Sequence, residues 1–213
     1  MSLKREYKTV AREGSTVFTD RKSKFIAHVM PVDNEEAAIE YLNKIRRKYP
    51  DARHNVYAYV IDEQNIFRYS DDGEPSGTGG MPVLDTIRKS GAVDVIIVVT
   101  RYFGGTLLGT GGLVHAYGTA AAEGLKAAGP VDRTLCDIVV LTVDYTLIGM
   151  IEHKLIKDGY IIESTEYGER VVFRICSPTD MTERLKTELA DLTSGRMECE
   201  TGDKKYIDRE AVQ

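Results

Sequence analysis

At 213 residues the chain holds one large domain or two small ones, and its 42% hydrophobic, 29% charged composition is that of a folded globular protein. A net charge of −5 excludes a protein that coats nucleic acid indiscriminately. The longest apolar run, Val95 to Val99, falls far short of the roughly 20 residues of a membrane helix, and the charged stretch Met1 to Arg12 has no secretory core, so no membrane partner and a cytoplasmic location are expected.

Along the chain, Arg5 to Arg12 and Lys24 to Val32 read as strands. Asp33 with Glu36 three residues later is a capping-box pattern that opens a helix to about Lys48, with Ala38, Leu42 and Ile45 on its inward face. His54 to Asp62 alternates as a strand and pairs with Ile66 to Ser70 through the polar turn Asp62 to Asn65. Pro82 suits the first turn of a short helix that Gly91 ends. Val93 to Thr100 reads as a central strand covered on both faces. A long helix follows from about Leu113 to Ala128, with a small-residue side at Ala116, Ala120, Ala121 and Gly124, and Gly129-Pro130 stops it.

From Arg133 the order is strand, helix, strand, strand, helix, strand. The strands are Thr134 to Asp144, Tyr160 to Glu166, Arg170 to Cys176 and Met197 to Tyr206. Ile148, Ile151 and Leu155 face inward from the first helix, which Gly159 stops. Ser177-Pro178 reads as the start of the second, which carries Leu185, Leu189 and Leu192. This is a ferredoxin-like β-α-β-β-α-β pattern, with a domain boundary near Gly129 to Arg133. Cys136, Cys176 and Cys199 have no CxxC spacing and read as buried reduced thiols.

Charge is spread unevenly. Residues 1–60 carry 12 basic and 8 acidic side chains, residues 61–130 carry 5 and 8, and residues 131–213 carry 11 and 17. The basic excess lies in Arg21, Lys22 and Lys24 and in Arg46, Arg47, Lys48 and Arg53. Such clusters are usually solvated faces, and a polyanion footprint is the sharper alternative.

The information-rich stretch lies between Asp71 and Gly112. Asp71, Asp72 and Glu74 precede Gly77, Gly79 and Gly80 in a loop too glycine-rich for a packed element. After the central strand come Arg101, Tyr102, Gly104 and Gly105, then Gly109, Gly111 and Gly112 running into a helix. A glycine-rich turn at a helix N-terminus leaves N–H groups unpaired where the dipole favours an anion, and Arg101 would add a charge beside them. The same glycines could instead serve tight turns and close packing. Neither a Walker loop nor a Rossmann fingerprint is present. Asp71, Asp72 and Glu74 have the chemistry of a magnesium site, but loop carboxylates are more often solvated, so no metal and no cofactor is expected. His54 and His115 read as structural or binding histidines. No catalytic constellation stands out, and the residues by themselves lead to a binding site rather than an enzyme.

Arg53-His54-Asn55, DDGEPSGTGGMP (Asp71 to Pro82) and VTRYFGGTLLGTGGLVHAY (Val99 to Tyr117) together resemble the signature of the Impact family, which includes the bacterial YigZ-type proteins. The resemblance implies an α+β fold. Its N-terminal left-handed β-α-β domain, residues 1–131, would be of the kind found in a small-subunit ribosomal protein, GHMP-type kinases and elongation factor G. A ferredoxin-like C-terminal domain, residues 132–213, would follow, like domain five of that factor. Eukaryotic members are regarded as translational regulators that compete for the activator of a kinase acting on an initiation factor. That activity relies largely on an additional N-terminal domain. The signature begins close to Met1, so this chain is expected to lack that domain, and the specific partner is not carried over. The expectation is a translation-associated regulator binding RNA, the ribosome or a ribosome-bound protein through Arg53, His54, Arg101, Tyr102 and the glycine loops. Two alternatives stand beside it: a phosphorylated metabolite or nucleotide held at Gly104 to Gly112, and a docking role for the second domain.

Overall fold

The computed structural model describes residues 6–63 and 65–210. Arg5 and Gln64, read from the sequence as part of a strand and of a turn, lie outside them. Two compact units are present, Tyr7–Asp132 and Arg133–Arg209, with Glu6 grouped with the latter and Glu210 with the former, so that a few strand ends cross the division.

The first unit contains β1 (Glu6–Val10), β2 (Gly14–Asp20), β3 (Ser23–Pro31), α1 (Glu35–Lys48), β4 (His54–Ile61), β5 (Ile66–Ser70), α2 (Gly80–Ser90), β6 (Val95–Tyr102) and α3 (Gly109–Ala128). Its five-stranded antiparallel sheet has the order β2-β3-β6-β4-β5. β3 and β4 both run antiparallel to β6 and are joined by α1, so they form a β-α-β unit with β6 inserted between its strands.

β6 sits at the centre because both of its faces are apolar. Val95, Ile97 and Val99 pack into the cluster shared with Val83, Ile87, Ala116 and Ala120 of α2 and α3. Ile96 and Val98 join the opposite cluster with Ala38, Leu42 and Ile45 of α1. All five β6 side chains are fully buried, worth about 1.5–3 kcal/mol each. The alternation puts Arg101, two residues beyond Val99, on the α2/α3 face at the end of the strand. α3 lies close to the sheet through its small side: a methyl on Gly124 would come within 2.9 Å of the Ala27 methyl.

Two helix starts differ from the sequence reading here. The cap of α1 is Asn34, whose side chain accepts from the Ala37 amide at 2.8 Å. The helix thus begins one residue later than an Asp33 box requires, and Glu35 instead accepts from the Tyr59 hydroxyl at 2.5 Å. α3 begins at Gly109, four residues before Leu113, because Gly109 turns in at φ 74° and buried Leu108 fixes the entry. β2 had no counterpart in the sequence reading.

On the α1 side of β3, His28 is 2% exposed, with Nδ1 3.2 Å from the Ser15 hydroxyl and, among the described residues, no partner for Nε2. Burial, helped by Lys48, lowers its pKa from 6.5 to about 4. The folded chain therefore keeps His28 neutral while the unfolded chain takes up a proton below 6.5. The stabilisation is complete above that value and is lost as pH falls towards 4, on the order of 3 kcal/mol in all. Urea unfolding between pH 7 and pH 4 is expected to show this decline and His28→Leu to flatten it. Equal slopes in both proteins would contradict the assignment.

The second unit carries β7 (Pro130–Val143), a 3-10 turn at Tyr145–Leu147, α4 (Ile148–Lys157), β8 (Ile161–Tyr167), β9 (Val171–Pro178), α5 (Thr182–Thr193) and β10 (Glu198–Glu210). β9 lies between β7 and β8, and β10 pairs with β7. This is the strand order of a ferredoxin-like sheet. Ile151, Leu155, Leu185 and Leu189 pack on Val139, Leu141, Phe173 and Ile175. α5 starts at Thr182 rather than at Ser177-Pro178, because those two residues still pair in β9 opposite Asp137 and Cys136. The Thr182 hydroxyl then donates to Asp137 at 2.7 Å. The three cysteines are free; Cys136 and Cys176 are buried and Cys199 is partly so.

Candidate functional site

The loop between β5 and α2 is fixed by its three carboxylates, each committed to a different partner. Asp71 accepts from the amides of Gly77 (2.9 Å), Gly79 (2.9 Å) and Gly80 (2.8 Å), and so caps α2. Asp72 accepts from the Asn55 amide at 2.7 Å and from Arg46 at 3.1 Å. Glu74, 9% exposed, turns inward. The three acids therefore do not converge on a common point. Among the described residues no group of three or more His, Cys, Asp or Glu could hold a metal ion.

Glu74 meets Arg101 under this loop. In register, Arg101 lies opposite Phe25 of β3 and His54 of β4. Its Nη1 is 2.5 Å from Glu74 Oε1, and the Tyr117 hydroxyl of α3 donates to the same oxygen at 2.8 Å. His54 Nε2 lies 3.7 Å from it. The other ring nitrogen, Nδ1, is 2.8 Å from the Asp72 carbonyl; a carbonyl only accepts, so Nδ1 carries a proton. The guanidinium also lies 5.4 Å from the Phe25 ring centre and 5.7 Å from that of Phe103. Burial first, then the charge of Glu74, pushes the Tyr117 hydroxyl far above the usual tyrosine range and keeps it a donor. Beside the cluster, the Thr100 hydroxyl donates to Asn55 at 2.8 Å.

This arrangement corrects one expectation. Arg101 is 5% exposed and paired with Glu74, so it is part of the interior and not a free cation for phosphate. Tyr117, Asn55 and Thr100 lie within the signature stretches, but the sequence assigns them no role of their own. Tyr117 had a usable signal, being the one aromatic residue on the buried side of α3, where a buried hydroxyl requires a partner.

The exposed part of the site lies next to Phe103. β2 and β3 are joined by a two-residue turn in which Arg21 (φ 42°) and Lys22 (φ 68°) both hold positive φ, a place where Asn and Gly are the rule. Arg21, Lys22 and Lys24 are exposed, and Lys24 lies opposite Tyr102. Gly104 seats directly on this turn: a methyl there would lie 2.0 Å from the Lys22 carbonyl carbon. The Arg53 guanidinium is 5.8 Å from the centre of the Phe103 ring, itself 41% exposed. Tyr102 is partly buried and donates to Asp51 at 2.9 Å.

The sequence GTGG occurs twice, at Gly77–Gly80 and Gly109–Gly112, and each copy leads into a helix. In the first copy the amides grip Asp71. In the second, among the described residues, no side chain caps α3, and its first turn has no acid. Gly105 (φ 84°) and Gly109 are required by conformation, whereas Gly111 has an ordinary φ and open space where a methyl would stand. Gly112 is partly buried over Leu108, and His115 is exposed on the outer side of α3.

Residues 21–125 match the Impact N-terminal domain, and residues 141–196 match a domain of unknown function, DUF1949. The Bacillus subtilis protein IMPACT family member YvyE is 38% identical over 204 residues, covering 95% of this chain and 94% of the relative. The chain belongs to the Impact family. Escherichia coli YigZ, another Impact family member, is 37% identical, with 84% of this chain and 89% of the relative covered. The Dictyostelium discoideum Protein IMPACT homolog is 40% identical over 106 residues, 47% of this chain and 30% of that protein. A crystal structure of a hypothetical protein superposes with a TM-score of 0.59 at 32% identity, over 94% of this chain and 99% of that one. In this Impact-family chain the signature divides into an inner half, Glu74, Arg101, Tyr117 and His54, and an outer half around Phe103. Among the described residues no helix is long and apolar enough to cross a membrane.

Proposed function

We propose that the chain is a translation-associated regulator that binds RNA through the outer half of the signature. The observation that carries this reading is the hairpin turn at Arg21 and Lys22. Two cations occupy positive-φ positions that cost stability, and they are packed against the glycine loop beside an exposed aromatic ring. Exposed cations on a turn packed against the loop that follows a stackable ring are the elements of single-strand recognition. The uncapped amides at the start of α3 would donate to a phosphate as those of the first GTGG donate to Asp71. The inner cluster serves by holding the loop, not by touching the ligand. Family membership supports the link to translation, and the fold of both units is of a kind used by ribosomal and translation-factor domains.

Co-sedimentation with ribosomes at low and high salt tests the proposal. Binding at low salt that falls on Arg21→Ala with Lys22→Ala, while the fold is retained, is the expected result. A protein free of ribosomes at both salts would count against it. A small phosphate-bearing metabolite would use the α3 amides without the hairpin, so binding that ignores the hairpin substitutions favours that alternative.

Gly111→Ala separates packing from ligand approach. An alanine in this open helical position is expected to raise stability by about 0.5–1 kcal/mol and to weaken RNA binding. If stability rises and binding is unchanged, the α3 N-terminus is not part of the contact.

A further inference from the structure

The second unit contains a cavity of about 600 Å³ bordered by Lys154, Asp158, Tyr160, Arg184, Glu188 and Arg209. Its charges are only partly matched. Lys154 reaches both Asp158 and Glu188 at 2.6 Å, and Arg184 Nε donates to the second oxygen of Glu188 at 2.7 Å. Both oxygens of Glu188 are thereby engaged by cations. The terminal nitrogens of Arg184 are not used in that bond, and exposed Arg209 forms no ion pair among the described residues. Three cations face two carboxylates, in a segment, residues 131–213, where 17 acidic side chains outnumber 11 basic ones. The half-buried Tyr160 hydroxyl is a further donor at the rim.

We propose that this cavity binds a small anion bearing a carboxylate or a phosphate, with Arg209 and Arg184 as its primary contacts and Tyr160 as a neutral donor. The Lys154–Glu188 bridge holds Arg184 in place from the α4 side. The volume suits a metabolite rather than a polymer. The acidic surroundings repel polyanions, which makes the site selective for a small ligand and independent of the RNA surface on the first unit.

The test uses the full chain, labelled with 15N, titrated at constant ionic strength with inorganic phosphate and separately with citrate. Saturable shifts of the Gly159 and Tyr160 amides are expected with at least one probe. Arg209→Gln is expected to raise the dissociation constant about tenfold, the loss of one charge-assisted hydrogen bond. Arg196→Gln, an equal charge change at another exposed site, is expected to leave it unaltered. Response to phosphate alone assigns a phosphate-bearing ligand, and response to citrate alone a polycarboxylate; either supports the proposal. Shifts that stay linear to ~20 mM of both probes, or that weaken equally in Arg209→Gln and Arg196→Gln, overturn it.

Discussion

Replacing Arg101 by alanine is expected to lower the unfolding free energy by about 3–5 kcal/mol, the cost of leaving a buried charge without its partner. Glu74 sits in the interior with its Oε1 shared by Arg101, Tyr117 and His54. Removing the guanidinium leaves the carboxylate with the Tyr117 hydroxyl and the His54 ring as its neighbours, and takes away the contacts of Arg101 with Phe25 and Phe103. Because Glu74 fixes the loop between β5 and α2, the loss also frees the segment that caps α2. Denaturant unfolding of three variants separates the contributions. Arg101→Ala and Glu74→Ala should both be strongly destabilised, while the paired change Arg101→Met with Glu74→Leu should recover most of the loss, since an apolar pair of similar volume avoids the desolvation penalty. A cost below about 1 kcal/mol for Arg101→Ala would mean that the residue is a surface cation after all.

Gly104→Ala is expected to cost about 2–3 kcal/mol, at the upper end of overpacking effects. The methyl would meet backbone, 2.0 Å from the Lys22 carbonyl carbon and 2.4 Å from the Ser23 amide, and backbone cannot rotate aside as a side chain can. The Gly104 amide would also lose its 3.2 Å bond to the Ser23 hydroxyl. The hairpin turn and the glycine loop must then separate, so RNA binding should fall together with stability. A Gly104→Ala protein of unchanged stability would show that the turn is not held by this contact.

Much of the scaffold could be read from the sequence because single physical signals decided it. Val95 to Val99 has the pattern of a strand buried on both faces, and Ala116, Ala120, Ala121 and Gly124 make a small side that lets another backbone approach closely. The β-α-β-β-α-β pattern after Arg133 followed from helical and alternating periodicity. What escaped the reading depends on tertiary pairing. The turn at Arg21 and Lys22 has no Asn or Gly to announce positive φ, so β2 went unrecognised. Ser177-Pro178 has the chemistry of a helix start, but its pairing with Cys136 and Asp137 keeps it extended.

The candidate site was legible as a region, not as a set of roles. Its glycines and charges were found by composition, but nothing local distinguishes a buried arginine from an exposed one at a strand end. Arg101 lies inside because Glu74, 27 residues earlier, folds under the loop to meet it. Asp71, a conceivable metal ligand by chemistry, is consumed by the amides of Gly77, Gly79 and Gly80. The reverse holds for Arg21 and Lys22, a cluster that reads from the sequence as a solvated face or a polyanion footprint, and whose turn the fold packs against Gly104.

The most direct test of RNA recognition by the outer half of the signature is the salt dependence of binding to a labelled single-stranded RNA, measured for the native chain and for Arg21→Ala with Lys22→Ala. Each phosphate contact on a single strand contributes about −0.7 to the slope of log K against log salt, so removing two is expected to flatten the slope by about 1.4 while the fold stays intact. An unchanged slope in the double variant, or no binding by the native chain at ~50 mM salt, would contradict the account.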